Sequence, residues 1–231
     1  PHGRWHPTQS GVAETARQRL LDLHRPQRFE LQRGVRGTAG GEGQSQEKEV
    51  TARRPRLVAP PGACDTHMHV YDAAVPSAPG GPPIPGHFPA ARYREMQARL
   101  GLARVIVVQP NAYQDDNRVT LDAIRAIGAG ARGVGVVKPG VSDAEIERLA
   151  QGGIVAQRIF HLPNGAVSLA QMDEVMARVH PFGWHANIQL DGRELPKWED
   201  SIRKLPGRFV IDHIGKFLEP VAPDSEAFKS L

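Results

Sequence analysis

The chain carries a single cysteine, Cys64, among its 231 residues. This excludes an intrachain disulfide framework and fits a reducing compartment, so a cytoplasmic location is expected. No apolar run approaches the ~20 residues of a membrane-spanning helix, and no apolar stretch follows the basic residues near the start as a secretory signal would require. The G-x-S-x-G turn that presents a serine nucleophile is missing. So is a glycine fingerprint after the first strand, which a dinucleotide-binding sheet needs. The one literal match, Gly128-Ala129-Gly130-Ala131-Arg132-Gly133, follows a helical pattern and precedes a strand pattern, the reverse of the required context.

An excess of one charge is also missing where a nucleic-acid surface would need it. The formal net charge is +4, but residues 1–57 hold eleven Lys and Arg against six Asp and Glu, leaving eighteen against nineteen for the rest. The body of the chain is near neutral, and neither a nucleic-acid nor a membrane partner is expected. Residues 1–57 are rich in Arg, Gln and Gly and too poor in apolar residues to build a core. Only Val12, Ala16, Leu20 and Leu23 sit at helical spacing. With Pro1 in first place, this stretch reads as a disordered or non-native basic leader.

From residue 58 the pattern changes to short apolar strands alternating with amphipathic helices. The strands are expected at Ala63–Tyr71, Arg104–Gln109, Arg132–Lys138, Ala156–Phe160, Trp184–Leu190 and Phe209–Ile214. Val105-Ile106-Val107-Val108 is apolar throughout, the mark of a parallel strand covered on both faces. Helices are expected at Ala91–Leu100, Asn117–Ile127, Ser142–Gln151, Ser168–Val179 and Glu194–Leu205, with Ser142 and Glu145 forming a capping box. Strands alternating with helices specify repeated βαβ units and a parallel sheet. With the dinucleotide fingerprint missing, the expected fold is a (β/α)₈ TIM barrel. Only six βα units fit residues 58–231, so the barrel is read as incomplete at its C-terminus.

In such barrels the chemistry lies at the carboxyl ends of the strands. Strand alternation puts Asp65, His67 and His69 on one face of the first strand, with Cys64, Thr66 and Met68 on the other. Two imidazoles at i and i+2 can converge on one substrate carbonyl or begin a zinc site; the plainer reading is a pair of satisfied polar groups in the core. Arg158 stands in a largely apolar strand, where an unpaired guanidinium is costly. Either a substrate carboxylate or an internal salt bridge would account for it. His213, near the end of strand six, can polarise a carbonyl or move a proton near neutral pH. Asp212 is expected to point the other way as a structural partner. His185 falls at the amino end of its strand, on the stability face. Gln109, Asn111, Lys138 and Gln189 end strands two, three and five as candidate substrate contacts.

Several blocks in order carry a family resemblance: Gly62-Ala63-Cys64-Asp65-Thr66-His67-Met68-His69-Val70-Tyr71, Val108-Gln109-Pro110-Asn111-Ala112-Tyr113, Asp116-Asn117-Arg118, Leu162-Pro163-Asn164-Gly165-Ala166-Val167, Gly183-Trp184-His185 and Ile211-Asp212-His213-Ile214-Gly215. From residue 57 onward the chain resembles the amidohydrolase superfamily, in the branch containing 2-pyrone-4,6-dicarboxylate lactonase and D-galactarolactone isomerase. The resemblance implies a barrel enzyme acting on a small carboxylated lactone, by hydrolysis or alternatively by isomerisation; an inactive fragment is the non-enzymatic alternative. It implies that His67, His69 and His213 bind and polarise the carbonyl and that Arg158 grips a carboxylate. The family's catalytic base, an aspartate ending strand eight, has no counterpart in these residues. A second lactonase arginine corresponds to Asn164, and a tyrosine to Gln189, two departures from the lactonase pattern. The superfamily often holds zinc at such histidines whereas this branch largely does without, so the expectation is no cofactor, or a divalent metal such as zinc at His67 and His69.

Overall fold

The computed structural model describes residues 55–231, which fall within one compact unit, Ala52–Leu231. The expected leader lies outside the described residues apart from its last three positions, and the helical spacing of Val12 to Leu23 lies wholly outside them.

Six strands form one sheet: β1 (Cys64–Met68), β2 (Arg104–Val108), β3 (Ala131–Gly135), β4 (Ile154–Phe160), β5 (His185–Gln189) and β6 (Phe209–Ile211). They lie in sequence order, and every neighbouring pair is parallel. The connections carry the helices α1 (Ala90–Leu100), α2 (Arg118–Ile127), α3 (Asp143–Gln151), α4 (Met172–Val179) and α5 (Leu195–Arg203); a short α6 (Glu226–Ser230) follows β6. This is the wall of a (β/α)₈ barrel over six of its units. The strands are shorter than expected except β4, which starts two residues earlier, and a 3₁₀ turn, Leu169–Gln171, takes up the start of the fourth expected helix. Among the described residues no helix is long and apolar enough to cross a membrane.

Two cores follow from strand alternation. Val105 and Val107 face outward and join Ile124 of α2, Ile146 and Leu149 of α3 and Met176 of α4 in the large outer core. Ile106, Val108, Val134 and Ala156 form a small separate cluster on the inner face. Gly133 brings α2 and β3 together: a Cβ there would lie 2.6 Å from the Cδ1 atoms of both Ile124 and Ile154. Burial of aliphatic side chains in the outer core is the main stabilising contribution, about 1.5–3 kcal/mol for each large one.

Helix ends follow their sequence signals with one difference. Ser142 Oγ accepts the Glu145 N–H at 3.2 Å, but the Glu145 carboxylate turns to Arg148 at 2.7 Å. The expected capping box is therefore half made, the arginine one turn on winning the carboxylate. Gly101 ends α1 with φ 70°, a left-handed conformation that glycine adopts without penalty.

Candidate active site

In a flat sheet β1 and β6 would stand about 24 Å apart, five steps of roughly 4.8 Å. Here His67 Nδ1, from β1, lies 3.3 Å from Asp212 Oδ1, which follows β6. The sheet is therefore rolled, and side chains from its two ends meet across the inner face at the carboxyl ends of the strands.

An irregularity in β1 aims the histidines. Asp65 pairs with Val105 but Met68 pairs with Val107, so an extra residue is accommodated between them. The bulge breaks strict alternation. Asp65 therefore turns outward, against expectation: its Oδ2 accepts from Tyr93 Oη of α1 at 3.1 Å, and its Oδ1 accepts the His67 N–H at 3.1 Å. His67 and His69 face inward, their ring centroids 5.0 Å apart.

The His69 ring is fixed by one bond. Its Nδ1 lies 2.7 Å from the Val108 carbonyl, which can only accept, so Nδ1 carries the proton and Nε2 is a free lone pair. Burial, then the positive charge of Arg158, pulls its pKa down from 6.5 to about 4, and the imidazole is neutral near pH 7.

Asp212 is a correction. It was expected to point away, but β6 ends at Ile211 and the chain enters a tight turn in which His213 and Ile214 take φ of 53° and 52°. Ile211 pairs with Ile188 of the outer core, so the next residue, Asp212, faces inward, and the turn that follows keeps His213 on that side as well. It is 4 % exposed, and Oδ1 also accepts from Asn187 Nδ2 of β5 at 3.0 Å. Burial raises its pKa, while the His67 hydrogen bond, the charges of His67 and Arg158, and the Asn187 bond together outweigh that and leave it below the usual carboxylate value. The His213 ring centroid lies 4.7 Å from that of His67. Burial, then His67, lowers the His213 pKa.

Ligand atoms of His67, Asp212 and His213 all lie within 4.8 Å of one another. This group of three shares His67 with the expected His67 and His69 pair and adds Asp212 and His213. Two imidazoles and a carboxylate suit a divalent cation, and the buried His67 Nε2 and Asp212 Oδ2 are without partners among the described residues. By donor chemistry the three residues fit such an ion. A cavity of about 540 Å³, lined also by Ile106, Val134, His185 and Asn187, opens beside them.

Arg158 reaches the same inner face from β4 and is 3 % exposed. Its Nη1 donates to Gln109 O at 2.6 Å and its Nη2 to Gln189 Oε1 at 2.9 Å; Nε is buried without a partner. The guanidinium stacks 4.9 Å from the Phe160 ring centroid. Among the described residues no carboxylate forms an ion pair with it, so the internal salt bridge is not what holds it. Burial pushes its pKa down to about 10. It remains charged near neutrality.

The remaining expected contacts divide. Gln189 joins Arg158. Gln109 offers only its backbone carbonyl: its side chain points outward, accepting from Thr120 Oγ1 at 2.5 Å and donating to Asp116 O at 2.8 Å. Lys138 pairs with Asp115 at 2.8 Å, away from the histidines. Asn111 opens the 3₁₀ turn Asn111–Tyr113, where its carbonyl accepts from the Gln114 side chain. His185 starts β5 at the amino-end face, as expected. The sequence reading missed Asn187 and the inward role of Asp212. Strand alternation from Gln189 would have placed Asn187 inside, but nothing local marks where β6 stops.

The family model described as amidohydrolase matches residues 64–231. The chain is 36 % identical over 186 residues to D-galactarolactone isomerase of Agrobacterium fabrum, covering 80 % of this chain and 64 % of the relative. It is 34 % identical over 180 residues to 2-pyrone-4,6-dicarboxylate hydrolase of Comamonas testosteroni, covering 76 % of this chain and 59 % of that one. A crystal structure of an Agrobacterium tumefaciens protein in its apo form superposes with a TM-score of 0.72 at 36 % identity, covering 76 % of this chain and 65 % of that one. The chain therefore spans a little under two thirds of the length of each of these relatives.

Proposed function

The chain belongs to the amidohydrolase family, and from that premise we propose that it acts on a small carboxylated lactone, opening the ring by hydrolysis. The observation that carries this reading is the convergence of an Arg158 guanidinium without an ion-pair partner on the same inner face as His67, His69, Asp212 and His213. A buried cation of this kind calls for an anionic ligand, and lactone-acting relatives supply the class.

Arg158 binds the substrate carboxylate through its uncommitted N–H groups, which sets the ring against the histidines. The Asp212 carboxylate orients His67 by accepting from Nδ1, leaving Nε2 to face the substrate. A protonated His67 donates from Nε2 to the lactone carbonyl and stabilises the oxyanion that forms as a nucleophile adds. His69 presents an unprotonated Nε2, so it accepts a hydrogen bond from the nucleophile and does not donate to the carbonyl. As the nucleophile adds, its proton passes to His69 Nε2; collapse of the tetrahedral intermediate expels the ring oxygen, which takes that proton back from His69 as the C–O bond breaks. A divalent cation held by His67, Asp212 and His213 would supply Lewis-acid polarisation of a carbonyl when bound.

The nucleophile decides between two outcomes. Water gives the open acid; a hydroxyl of the substrate itself gives a rearranged lactone, the outcome suggested by the isomerase relative at 36 % identity. A lactone panel with and without the carboxylate, followed by NMR on the full chain, tests the proposal with and without added Zn²⁺. Turnover of carboxylated members that is lost in Asp212→Ala supports it, and an open acid distinguishes hydrolysis from rearrangement. Absence of turnover on every lactone overturns it.

A further inference from the structure

The chain has three tyrosines, and two of their hydroxyls are committed. Tyr93 donates to Asp65 Oδ2 at 3.1 Å. Tyr113 accepts the Asp72 N–H at 2.9 Å and donates to Asp72 O at 3.2 Å. The hydroxyl of Tyr71 has no hydrogen-bond partner among the described residues, although its ring is half-buried and held on several sides. That ring lies 6.2 Å from His69, 6.2 Å from Tyr113 and 6.3 Å from Phe88, centroid to centroid. Its backbone bridges Phe88 in both directions, at 3.1 and 2.9 Å. The Tyr113–Asp72 bonds clamp the next residue. A phenol fixed this firmly with its polar tip free is ready to meet a ligand.

The end of β2 locates that ligand. Two consecutive carbonyls, Val108 O and Gln109 O, hold the His69 imidazole and the Arg158 guanidinium side by side. Tyr71 stands against that same His69, and its phenol and the Arg158 charge lie within electrostatic reach of each other. Burial raises the phenol's pKa, so the hydroxyl keeps its proton and is a donor at neutral pH. Arg158 has already given one N–H each to Gln109 and Gln189, and its Nε is unpartnered. A carboxylate offers about four lone-pair positions, more than one guanidinium edge fills.

We propose that the Tyr71 hydroxyl is a specificity-determining donor that binds the same substrate carboxylate as Arg158. This deepens the carboxylated-lactone reading and rests on it for the identity of the natural ligand. Such a donor selects substrates whose carboxylate lies on the ring edge facing β1 and β2, and it disfavours lactones with a neutral group there.

The experiment uses the full chain and a probe that contains no lactone, pyridine-2,4-dicarboxylate, with the corresponding diamide as control. Isothermal titration of wild type and Tyr71→Phe isolates the hydroxyl, since Phe retains the ring contacts with His69, Tyr113 and Phe88. Loss of one hydrogen bond to a charged group should weaken dicarboxylate binding about tenfold or more, with the thermal midpoint nearly unchanged and Tyr71→His recovering part of the affinity. An unchanged Kd for the dicarboxylate overturns the proposal, as does equal weakening of dicarboxylate and diamide. If lactone turnover is never found but Tyr71→Phe still weakens the dicarboxylate selectively, the lactone reading falls and the Tyr71 assignment stands.

Discussion

Acidification should destabilise this fold through His69. The folded pKa is pushed from 6.5 to about 4, by burial first and the Arg158 charge second. An unfolded chain binds the proton near pH 6.5, whereas the folded chain refuses it until about pH 4. Stability is therefore full above pH 6.5 and falls as pH drops through that window. The complete loss amounts to about 3 kcal/mol below pH 4, and to about 2 kcal/mol between pH 7.5 and pH 5. His185 and His213 are displaced in the same direction, so wild type alone cannot isolate the effect. His69→Asn can, because the Asn amide nitrogen takes the place of Nδ1 and keeps the donor to Val108 O without a titrating group. Urea unfolding of both proteins at pH 7.5 and pH 5 measures the difference. Wild type should lose about 2 kcal/mol more than the variant across that interval. Equal losses would refute the claim that His69 is held neutral by its surroundings.

Three further outcomes follow from contacts elsewhere in the fold. Arg158→Lys should raise KM for a carboxylated lactone about tenfold or more, because an ammonium cannot span Gln109 O and Gln189 Oε1 and still present an edge to the substrate; a KM within twofold of wild type would contradict it. Gly165→Ala should destabilise by about 2 kcal/mol or more, since its Cβ would sit 1.9 Å from the Phe160 carbonyl oxygen and backbone must move to relieve it; an unchanged denaturation midpoint would show that the loop after β4 yields freely. Tyr93→Phe should cost about 1–3 kcal/mol, the effect of removing a donor from the Asp65 carboxylate, and should also lower kcat by loosening the bulge that aims His67. Intact stability and rate together would mean that the bulge holds itself.

The barrel wall was legible because each βα unit writes its own local pattern. Val105 to Val108 reads as a doubly covered strand and packs as one, and Ser142 marks the start of α3 within one residue. The histidines and Arg158 were legible for the same reason: polar groups in apolar strands stand out. Two errors share a cause. Asp65 was placed beside His67 and His69, and Asp212 away from them, by continuing a two-residue alternation through backbone that does not keep it. The β1 bulge depends on an aspartate meeting Tyr93 twenty-eight residues later, and the left-handed turn at His213 follows a strand that stops after three residues. Both are tertiary facts without a local signature. Gln109 misled differently: it lies one step past the end of β2, but its outward parity was readable, and Thr120 on the next helix takes its amide.

Arg158 also shows how the wall becomes a site. A guanidinium this deeply buried costs folding free energy unless it is paired, and the wall pairs it only with neutral oxygens, Gln109 O and Gln189 Oε1. Asp212 lies within electrostatic reach of it, yet its Oδ1 is taken by His67 and Asn187. A glutamate at position 189, the isostere of the glutamine, would neutralise Arg158 outright at little steric cost; the glutamine leaves the charge in place and fixes its direction. Holding the cation with neutral acceptors keeps its remaining donors available and its field undiminished, and that field helps keep His69 unprotonated. On the proposed reading one uncompensated charge draws an anionic substrate and, second to burial, helps keep the imidazole beside it neutral, so removing the charge in Arg158→Met should raise the His69 pKa. An NMR titration of the His69 ring that shows the same pKa in Arg158→Met as in wild type would break this coupling.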